Sequence, residues 1–188
     1  MPGKLDELDL KIINQIQKDG RMSITKLAKE VESSRLTTTN RLKRLIDDEL
    51  VTIKGGLNLR KLGFKLASVG LEVKSDETRQ KVEKYLMDCP RVLNIFRSPG
   101  KANIHLLVWG ENDQTINSTI ESFRDIQNVD IVHTQYLGTP IHGDVSINLM
   151  PMENSETPCG MVCSSCYRYD NEWCLWCPTT TYYKAPYD

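Results

Sequence analysis

The sequence predicts an α+β protein in three parts: an N-terminal winged helix-turn-helix, a ferredoxin-like domain and a small cysteine-rich metal-binding tail. Three observations predict it. The first part carries apolar side chains at helical spacing, the second alternates apolar strands with amphipathic helices, and five of the six cysteines crowd the C-terminal end. The expected parts are residues 1–54, a linker at 55–65, residues 66–150 and residues 151–188.

Composition and charge are those of an ordinary globular protein. Hydrophobic residues make up 39% of the chain and charged residues 26%. No apolar run approaches the roughly 18 residues of a membrane helix, and the N-terminus lacks a secretory signal pattern. We therefore expect a cytoplasmic protein with no membrane partner. Residues 1–65 hold 14 Lys and Arg against 9 Asp and Glu, which favours a polyanion as partner for this end, although a solvated helical surface has the same balance.

Three short amphipathic helices are predicted in the first part. Asp6, Ser23 and Ser34 are the expected N-caps, because their side-chain oxygens can accept from the free amides of a first helical turn. Asp19-Gly20 ends the first helix, and a tight break at Glu32-Ser33 precedes the third. Two helices joined by such a turn are typical of a helix-turn-helix, although any small bundle shares the periodicity. The apolar positions that predict the first two helices are Leu5, Leu8, Ile12, Ile13 and Ile16, then Ile24, Leu27, Ala28 and Val31.

The second part alternates strands and helices. Residues 51–59 have β character around Gly55-Gly56, either as a small wing or as a strand leading into the linker. The order that follows is βαββαβ, typical of a ferredoxin-like domain. Its helices cover one face of an antiparallel sheet, so we expect a second subunit on the other face. The predicted strands are 66–73, 92–97, 103–109 and 129–137, the predicted helices are 76–87 and 116–126, and 141–149 is a further candidate strand.

The third helix, from Ser34 to about Asp48, is the candidate DNA-reading element. Leu42, Leu45 and Ile46 share one face and should pack on the other helices. The opposite polar face suits a major groove, since asparagine can bond adenine, arginine can meet guanine, and leucine or a threonine methyl can touch thymine. Three consecutive threonines weigh against a plain solvated face, because threonine weakens a helix. The predicted DNA-binding residues are Ser34, Arg35, Leu36, Thr37, Thr38, Asn40, Arg41, Lys43 and Arg44, with Leu36, Thr37 and Asn40 for base specificity and Arg35 and Lys43 for phosphates.

The chain resembles the leucine-responsive (Lrp/AsnC) family of transcription regulators. The resemblance rests on Leu5-Asp6-Glu7-Leu8-Asp9, on Gln17-Lys18-Asp19-Gly20-Arg21, and on residues 34–51, which align with the family's recognition helix and its exit. Residues 66–150 have the element order of the family's effector domain. The resemblance implies a homodimer through this domain, often assembled into an octamer, that binds pseudo-palindromic sites on double-stranded DNA.

Two departures from the family pattern are informative. Glu49 stands where the family usually has glycine. In the turn between the middle strands of the effector domain, a common Gly-Asp-x-Asp-Tyr is replaced by Gly100-Lys101-Ala102-Asn103-Ile104. The resemblance implies that Gly100, Lys101 and Asn103 line the effector site. Because Lys101 cannot hold an ammonium group, we expect an anionic effector, or none, rather than a leucine-like amino acid.

The tail carries a candidate metal site. Two Cys-x-x-Cys knuckles can offer four thiolates to one tetrahedral Zn²⁺, and Cu(I) or another soft metal is the alternative. A tail this short cannot bury enough surface to fold unaided, which gives a metal an energetic role. The first three cysteines also match an iron–sulfur signature of radical enzymes, but the tail lacks the large barrel that such chemistry needs. The predicted ligands are Cys159, Cys163, Cys166, Cys174 and Cys177, with Cys159 as the thiol left over, either an alternative ligand or a redox-responsive group.

The sequence therefore predicts a homo-oligomeric regulator that binds promoter DNA and performs no chemistry. The alternative is a sensor, in which metal loading or thiol oxidation of the tail switches DNA binding. An enzyme ranks last, because the sequence shows no nucleophile elbow, phosphate loop or acid pair. Cys89, which stands apart from the tail, is predicted to be a small buried apolar residue.

Overall fold

The computed structural model describes residues 5–138, 140–143, 145–147, 154–161 and 163–186. The chain divides into two compact units, Met1–Gly55 and Gly56–Asp188. Within the described ranges, no helix has the length and apolar character needed to cross a membrane. The first unit contains three helices at the predicted positions: α1 (Glu7–Lys18), α2 (Ile24–Glu30) and α3 (Arg35–Asp47).

Each helix of the first unit begins at the predicted cap. Asp6 accepts from the backbone amide of Asp9, and the Asp9 side chain accepts from the amide of Asp6, which makes a reciprocal capping box. Ser23 and Ser34 accept from the third amides of their helices. These bonds satisfy donors that a helix start leaves unpaired.

The three helices pack around Ile12, Leu27 and Leu45, which are fully buried. Ile46 was expected on the same face as Leu45 but is 42% exposed, so that prediction is wrong. One residue further along a helix turns the side chain by about 100°, which carries Ile46 past the edge of the core. Glu49, just after α3, has a φ of 56°, the left-handed conformation that favours glycine.

The second unit contains a four-stranded antiparallel sheet in the order β3-β4-β2-β5. Strands and helices follow along the chain as βαββαβ, in the predicted order. The second helix starts earlier than predicted because the side chain of Asn112 caps it. The elements are β2 (Lys65–Val73), α4 (Asp76–Met87), β3 (Val92–Arg97), β4 (Ile104–Gly110), α5 (Asp113–Arg124) and β5 (Val129–Leu137).

Both helices of this unit lie on one face of the sheet. Alternate residues of β2 and β4 point into a core shared with α4 and α5, in which Leu86 and Phe123 are fully buried. Gly110 lets α5 approach closely, because a Cβ there would lie 2.7 Å from the backbone nitrogen of Ile116. The predicted one-sided arrangement of helices is therefore confirmed.

A second, smaller cluster covers one end of the opposite face. It gathers Leu66 and Trp109 of the sheet with Leu59, Phe64 and Ile147. Two short strands support it, β1 (Leu57–Asn58) and β6 (Ser146–Ile147), which pair antiparallel. Among the described residues no wing hairpin forms across Gly55-Gly56, since Leu57–Asn58 pairs with the distant strand Ser146–Ile147 instead. The additional strand predicted at 141–149 forms only at Ser146–Ile147, and residues 144, 148 and 149 lie outside the described ranges.

The rest of that face is open. Phe96, 58% exposed, pairs with His105 of the neighbouring strand. The His105 and His133 rings are 5.5 Å apart, and His133 lies over Gly70, where a Cβ would come within 2.2 Å of the ring. No side chain of Gly70 therefore separates the two imidazoles.

The tail folds onto the second unit. It holds a 3-10 turn at Cys163–Ser165 and a short helix, α6 (Tyr167–Asp170). The polar segment at 151–158, which leads into the cysteines, is only partly described, since 151–153 lie outside the described ranges. Its remainder is not a free linker, because Thr157 is buried and Asn154 forms a parallel bridge with Thr180.

Candidate nucleic-acid interface and cysteine cluster

One face of α3 presents an exposed row of polar and apolar side chains. Leu36 is 72% exposed, and Arg35, Thr37, Asn40 and Lys43 are exposed beside it. Leu45, on the opposite side, is fully buried and anchors the helix. The row combines an amide, a hydroxyl, a methyl-rich leucine and two cations, which are the groups that read base edges and bind phosphates.

Three of the predicted DNA-binding hydroxyls have partners at the start of α3. The Ser34 hydroxyl accepts from the Thr37 amide at 3.0 Å and lies 2.8 Å from the Thr37 hydroxyl. Thr38 is fully buried, and its hydroxyl donates to the Ser34 carbonyl at 2.9 Å. The prediction that Thr38 binds DNA is therefore wrong, because no nucleic acid can reach this side chain unless the start of α3 unfolds.

Arg41 and Arg44 are tied to α1. Arg41 Nη1 lies 2.6 Å from Asp6 Oδ2 and 3.3 Å from Asp9 Oδ1, and Arg44 Nη2 pairs with Asp9 Oδ2. The Asp9 side chain is fully buried. The Asp9 amide, which donates to Asp6, and the neighbouring Arg41 hold the pKa of Asp6 below its ordinary value. Both arginines were predicted to bind DNA, one of them through guanine and Arg44 partly through the backbone; in the structure they join α3 to α1.

A spacing signal in the sequence could have revealed these pairs. Asp6 and Asp9 are three residues apart, as are Arg41 and Arg44, so each pair lies on one face of its helix. Asp9 also interrupts the apolar face of α1, three residues before Ile12. A carboxylate at a core position needs a charged partner, and the arginines of α3 supply it.

The turn predicted to bind an effector is exposed at Gly100 and Lys101. Asn103 is committed elsewhere, since its side chain accepts from the Val73 amide at 3.0 Å and donates to the Val73 carbonyl at 2.8 Å. These two hydrogen bonds fasten the turn to the end of β2. Asn103 is thus a positioning residue for the turn, with its amide already in use.

All five tail cysteines line one cavity of about 90 Å³, and Cys89 lines it as well. Cys89 was predicted as an inert apolar residue, and its position beside the tail was not foreseen. Its thiol contacts that of Cys159. In the part of the chain that the structure describes, no three His, Cys, Asp or Glu side chains are gathered closely enough to hold one metal ion.

The environment shifts the thiols in opposite directions. A hydrogen bond from Cys89 lowers the pKa of Cys159 to about 6, and the same contact, together with burial, raises the pKa of Cys89 well above its ordinary value. Burial raises the pKa of Cys163 to about 12. Cys159 is thus the thiol that gives up its proton most readily among these three.

Polar contacts hold the tail against the helices and the sheet of the second unit. Arg91 and Glu111, both buried, form an ion pair at 2.7 Å, and Arg91 also donates to the Trp176 carbonyl at 2.7 Å. The Tyr183 hydroxyl donates to Glu111. Leaving either buried charge without its partner is costly, so these bonds hold the tail in one position. Two further contacts lie along α5, from Ser118 to the Trp173 carbonyl at 2.6 Å and from Arg168 to Asp125 at 2.9 Å.

Comparisons with known proteins agree with this architecture. Residues 5–52 match the family model of a winged helix-turn-helix DNA-binding domain. The Bkd operon transcriptional regulator of Pseudomonas aeruginosa is 30% identical over 109 residues, which cover 56% of this chain and 71% of that protein. These matches are to transcription regulators, not enzymes.

Two solved structures share the fold. An AsnC family transcriptional regulator from Agrobacterium tumefaciens has a TM-score of 0.64 at 20% identity, over 77% of this chain and 97% of that one. A transcriptional regulator from Neisseria meningitidis, solved as a complex with L-Met, has a TM-score of 0.66 at 22% identity, over 78% and 97%. About a fifth of this chain therefore has no counterpart in either structure.

Replacing Asp9 tests the link between α1 and α3. We predict that Asp9→Ala lowers the free energy of unfolding of the first unit by about 1–3 kcal/mol, because Arg44 loses its partner and the capping box is broken. The loss is smaller than for a fully buried pair, since both arginines keep some access to water. The measurement is urea unfolding followed by circular dichroism. Glu7→Ala, at an exposed position of the same helix, is the control, and equal stability of both variants would contradict the prediction.

Proposed function

Because the chain belongs to the Lrp/AsnC family of DNA-binding transcription regulators, we propose that it binds specific promoter sites through α3, as a homodimer or a higher oligomer. The observation that carries the proposal is the exposed row on α3, opposite the buried Leu45. Regulation follows from occluding or recruiting the transcription machinery. A protein that acts on chromosomal DNA in this way is expected in the cytoplasm.

The exposed residues of α3 have two proposed tasks, base reading and phosphate binding. Leu36, Thr37 and Asn40, near the helix start, read base edges, because the N-terminal part of a recognition helix enters the groove. Arg35 and Lys43 neutralise phosphates and fix the register. Arg41 and Arg44 hold α3 at its angle to α1 and reach the DNA backbone only with the part of their guanidinium groups that Asp6 and Asp9 leave open.

The open face of the four-stranded sheet is the proposed surface for self-association. Phe96 is 58% exposed there, and the imidazoles of His105 and His133 lie beside it. A second copy packed on this face buries the aromatic ring and completes the second layer that a one-sided sheet lacks. Two recognition helices related by a two-fold axis then read half-sites about one DNA turn, or a multiple, apart. Further assembly of such dimers gives the octamer that the family resemblance implies.

The turn at Gly100 and Lys101 is the proposed effector contact. Lys101 is exposed and acts electrostatically on Asp130 of β5. A cation at this turn suits an anionic ligand rather than the ammonium of an amino acid. The Neisseria regulator was solved with L-Met. The basic turn of this chain would instead favour a ligand with a negative charge.

The tail is the proposed metal-binding module. Thiolates are the ligands that Zn²⁺ prefers in structural sites, and the two Cys-x-x-Cys knuckles and Cys159 line one cavity. Zn²⁺ held there stabilises a segment too short to fold by itself. Cu(I) is the softer alternative. The second candidate function is metal or redox sensing. It is favoured by the contact between Cys159 of the tail and Cys89, which follows α4 in the ferredoxin-like part of the chain.

Two substitutions on α3 test DNA reading. We predict that Asn40→Ala relaxes the preference for one base pair, with a loss of about 1–3 kcal/mol on the cognate site alone. Lys43→Ala should weaken binding to all sequences similarly and reduce the salt slope by about one. Fluorescence anisotropy on cognate and scrambled duplexes at several salt concentrations measures both.

Lys84→Ala is the matched control, since Lys84 is an exposed lysine of the second unit. It should leave affinity and salt slope unchanged. If Asn40→Ala and Lys43→Ala both bind promoters like the unaltered protein, α3 does not read DNA and the proposal is wrong.

Phe96→Asp tests self-association. A carboxylate in the middle of the open face should raise the dimer dissociation constant at least about tenfold, because it must be desolvated in the interface. Sedimentation velocity over a concentration series gives the constant. Met87→Asp is the control, at an equally exposed apolar position on the end of α4. An unchanged mass for Phe96→Asp would locate the interface elsewhere.

The sensing alternative makes its own prediction. Removing the metal with a chelator, or oxidising the thiols with hydrogen peroxide, should change operator affinity about tenfold or more, an allosteric coupling of about 1.4 kcal/mol. A purely structural tail leaves affinity unchanged as long as the protein stays folded. Operator titrations before and after treatment, with circular dichroism as the folding check, separate the two functions.

A further inference from the structure

The two carboxylate oxygens of Asp6 have different partners. Oδ1 accepts from the backbone amide of Asp9 at 2.9 Å and so caps α1. Oδ2 accepts from Nη1 of Arg41, on α3, at 2.6 Å. One side chain therefore starts α1 and also binds a cation of the proposed recognition helix.

Arg41 lies at the edge of the exposed row on α3. It follows Asn40 directly and comes four residues after Thr37, and residues four apart are neighbours on the surface of a helix. The Arg41 side chain is 33% exposed and the Asp6 side chain 48%. Arginine carries its charge at the end of a flexible aliphatic stem. The guanidinium can therefore turn from Asp6 towards a phosphate beside the row.

Arg41 can make this turn without leaving a buried charge unpaired. The Asp9 carboxylate, which is fully buried, needs a charged partner. Arg44 Nη2 pairs with Asp9 Oδ2, and the Asp6 amide donates to the same oxygen at 3.1 Å. The contact from Arg41 to Asp9 Oδ1 is longer, at 3.3 Å. Asp9 thus keeps a cation, and α3 stays joined to α1, when Arg41 turns away.

Asp6 and a DNA phosphate compete for the same guanidinium group. Carboxylates and phosphates both bind arginine through charge-assisted hydrogen bonds. An ion pair that is open to solvent contributes little net stability, so a phosphate can displace Asp6. The displacement still lowers the gain from the phosphate contact, because the bond to Asp6 must be given up first.

We propose that Asp6 lowers the affinity for DNA by holding Arg41 away from the phosphate backbone. The inference rests on the proposed reading of DNA by α3, and it adds a residue of α1 that sets the strength of the backbone contacts. Because phosphate contacts carry no sequence information directly, the effect of Asp6 is the same on every DNA sequence.

Asp6→Asn is the test. Asparagine caps a helix about as well as aspartate, so the side-chain oxygen that accepts from the Asp9 amide is kept. An NH₂ group replaces the oxygen that binds Arg41. We expect affinity to rise about three- to tenfold, and the salt slope to steepen by about one, as for one additional phosphate contact. The measurement is fluorescence anisotropy over a salt series, with a labelled duplex of mixed sequence and a promoter duplex, and both should respond alike.

Two further variants separate release of Arg41 from the plain loss of a negative charge. Arg41→Gln in the Asp6→Asn background should remove the gain, and a gain that survives there would overturn the inference. Glu7→Gln is the matched control, because it makes the same change of charge one residue along, and Glu7 pairs with Lys11 of its own helix at 2.8 Å. It should leave affinity and salt slope unchanged, and a gain equal to that of Asp6→Asn would also contradict the inference.

Arg41→Gln alone gives a readout that does not depend on a change at the cap. Because Asp6 already occupies Arg41, this variant should bind the mixed-sequence duplex with less than about twofold loss, whereas Lys43→Ala should flatten the salt slope by about one. Equal losses for the two variants would show that Arg41 binds phosphate freely, against the inference. Circular dichroism checks that each variant is folded.

Failure of this inference and failure of the proposed function give different results. If Asp6→Asn binds like the unaltered protein while Lys43→Ala weakens all sequences, Asp6 does not restrain Arg41 and α3 still reads DNA. If Asn40→Ala and Lys43→Ala are also without effect, the proposed reading by α3 is wrong as well.

Discussion

The carboxylate of Asp9, buried between α1 and α3, constrains how the N-terminal unit can meet DNA. It caps α1 through the Asp6 amide and receives Arg41 and Arg44 from α3. Because a buried carboxylate needs charged partners, Asp9 holds both arginines in ion pairs. The same ion pairs fix the angle between α1 and α3. The surface left for base reading is correspondingly narrow: an amide, a hydroxyl and a leucine side chain, with cations at the edges.

Local rules predicted much of this fold from sequence. The bounds of α4, β3 and β5 agree residue for residue with the expected ones, because each lies between clear turn signals and has an unambiguous period. The three N-caps of the first unit were also predictable from residue type alone. The α3 face was predicted less well, since Thr38 is buried and bonds to the Ser34 carbonyl, and the two arginines pair with carboxylates at the start of α1. Pairing of β1 with β6 and the approach of Cys89 to the tail involve residues far apart in sequence, which no local pattern encodes.

The second unit uses the two faces of one sheet for different purposes. One face carries α4 and α5, and the tail docks against these helices through Arg91, Ser118 and Arg168. The other is covered at one end by a small apolar cluster and is otherwise open. The buried Arg91–Glu111 ion pair holds the tail in position through its bonds to Trp176 and Tyr183, whereas the open face offers aromatic and imidazole groups. The two regions thus differ in chemistry as well as in location.

Glu49 keeps the left-handed backbone, φ 56°, directly after α3, at the position where the Lrp/AsnC pattern has glycine. A side chain in this conformation costs about 1 kcal/mol or more relative to glycine, so the bend is enforced by the packing around it rather than by the flexibility of the residue. Glycine at this position would therefore keep the same path of the chain and remove this cost. The exit from α3 is in this sense a property of the architecture, and the amino acid at position 49 sets the energy of the bend rather than its direction.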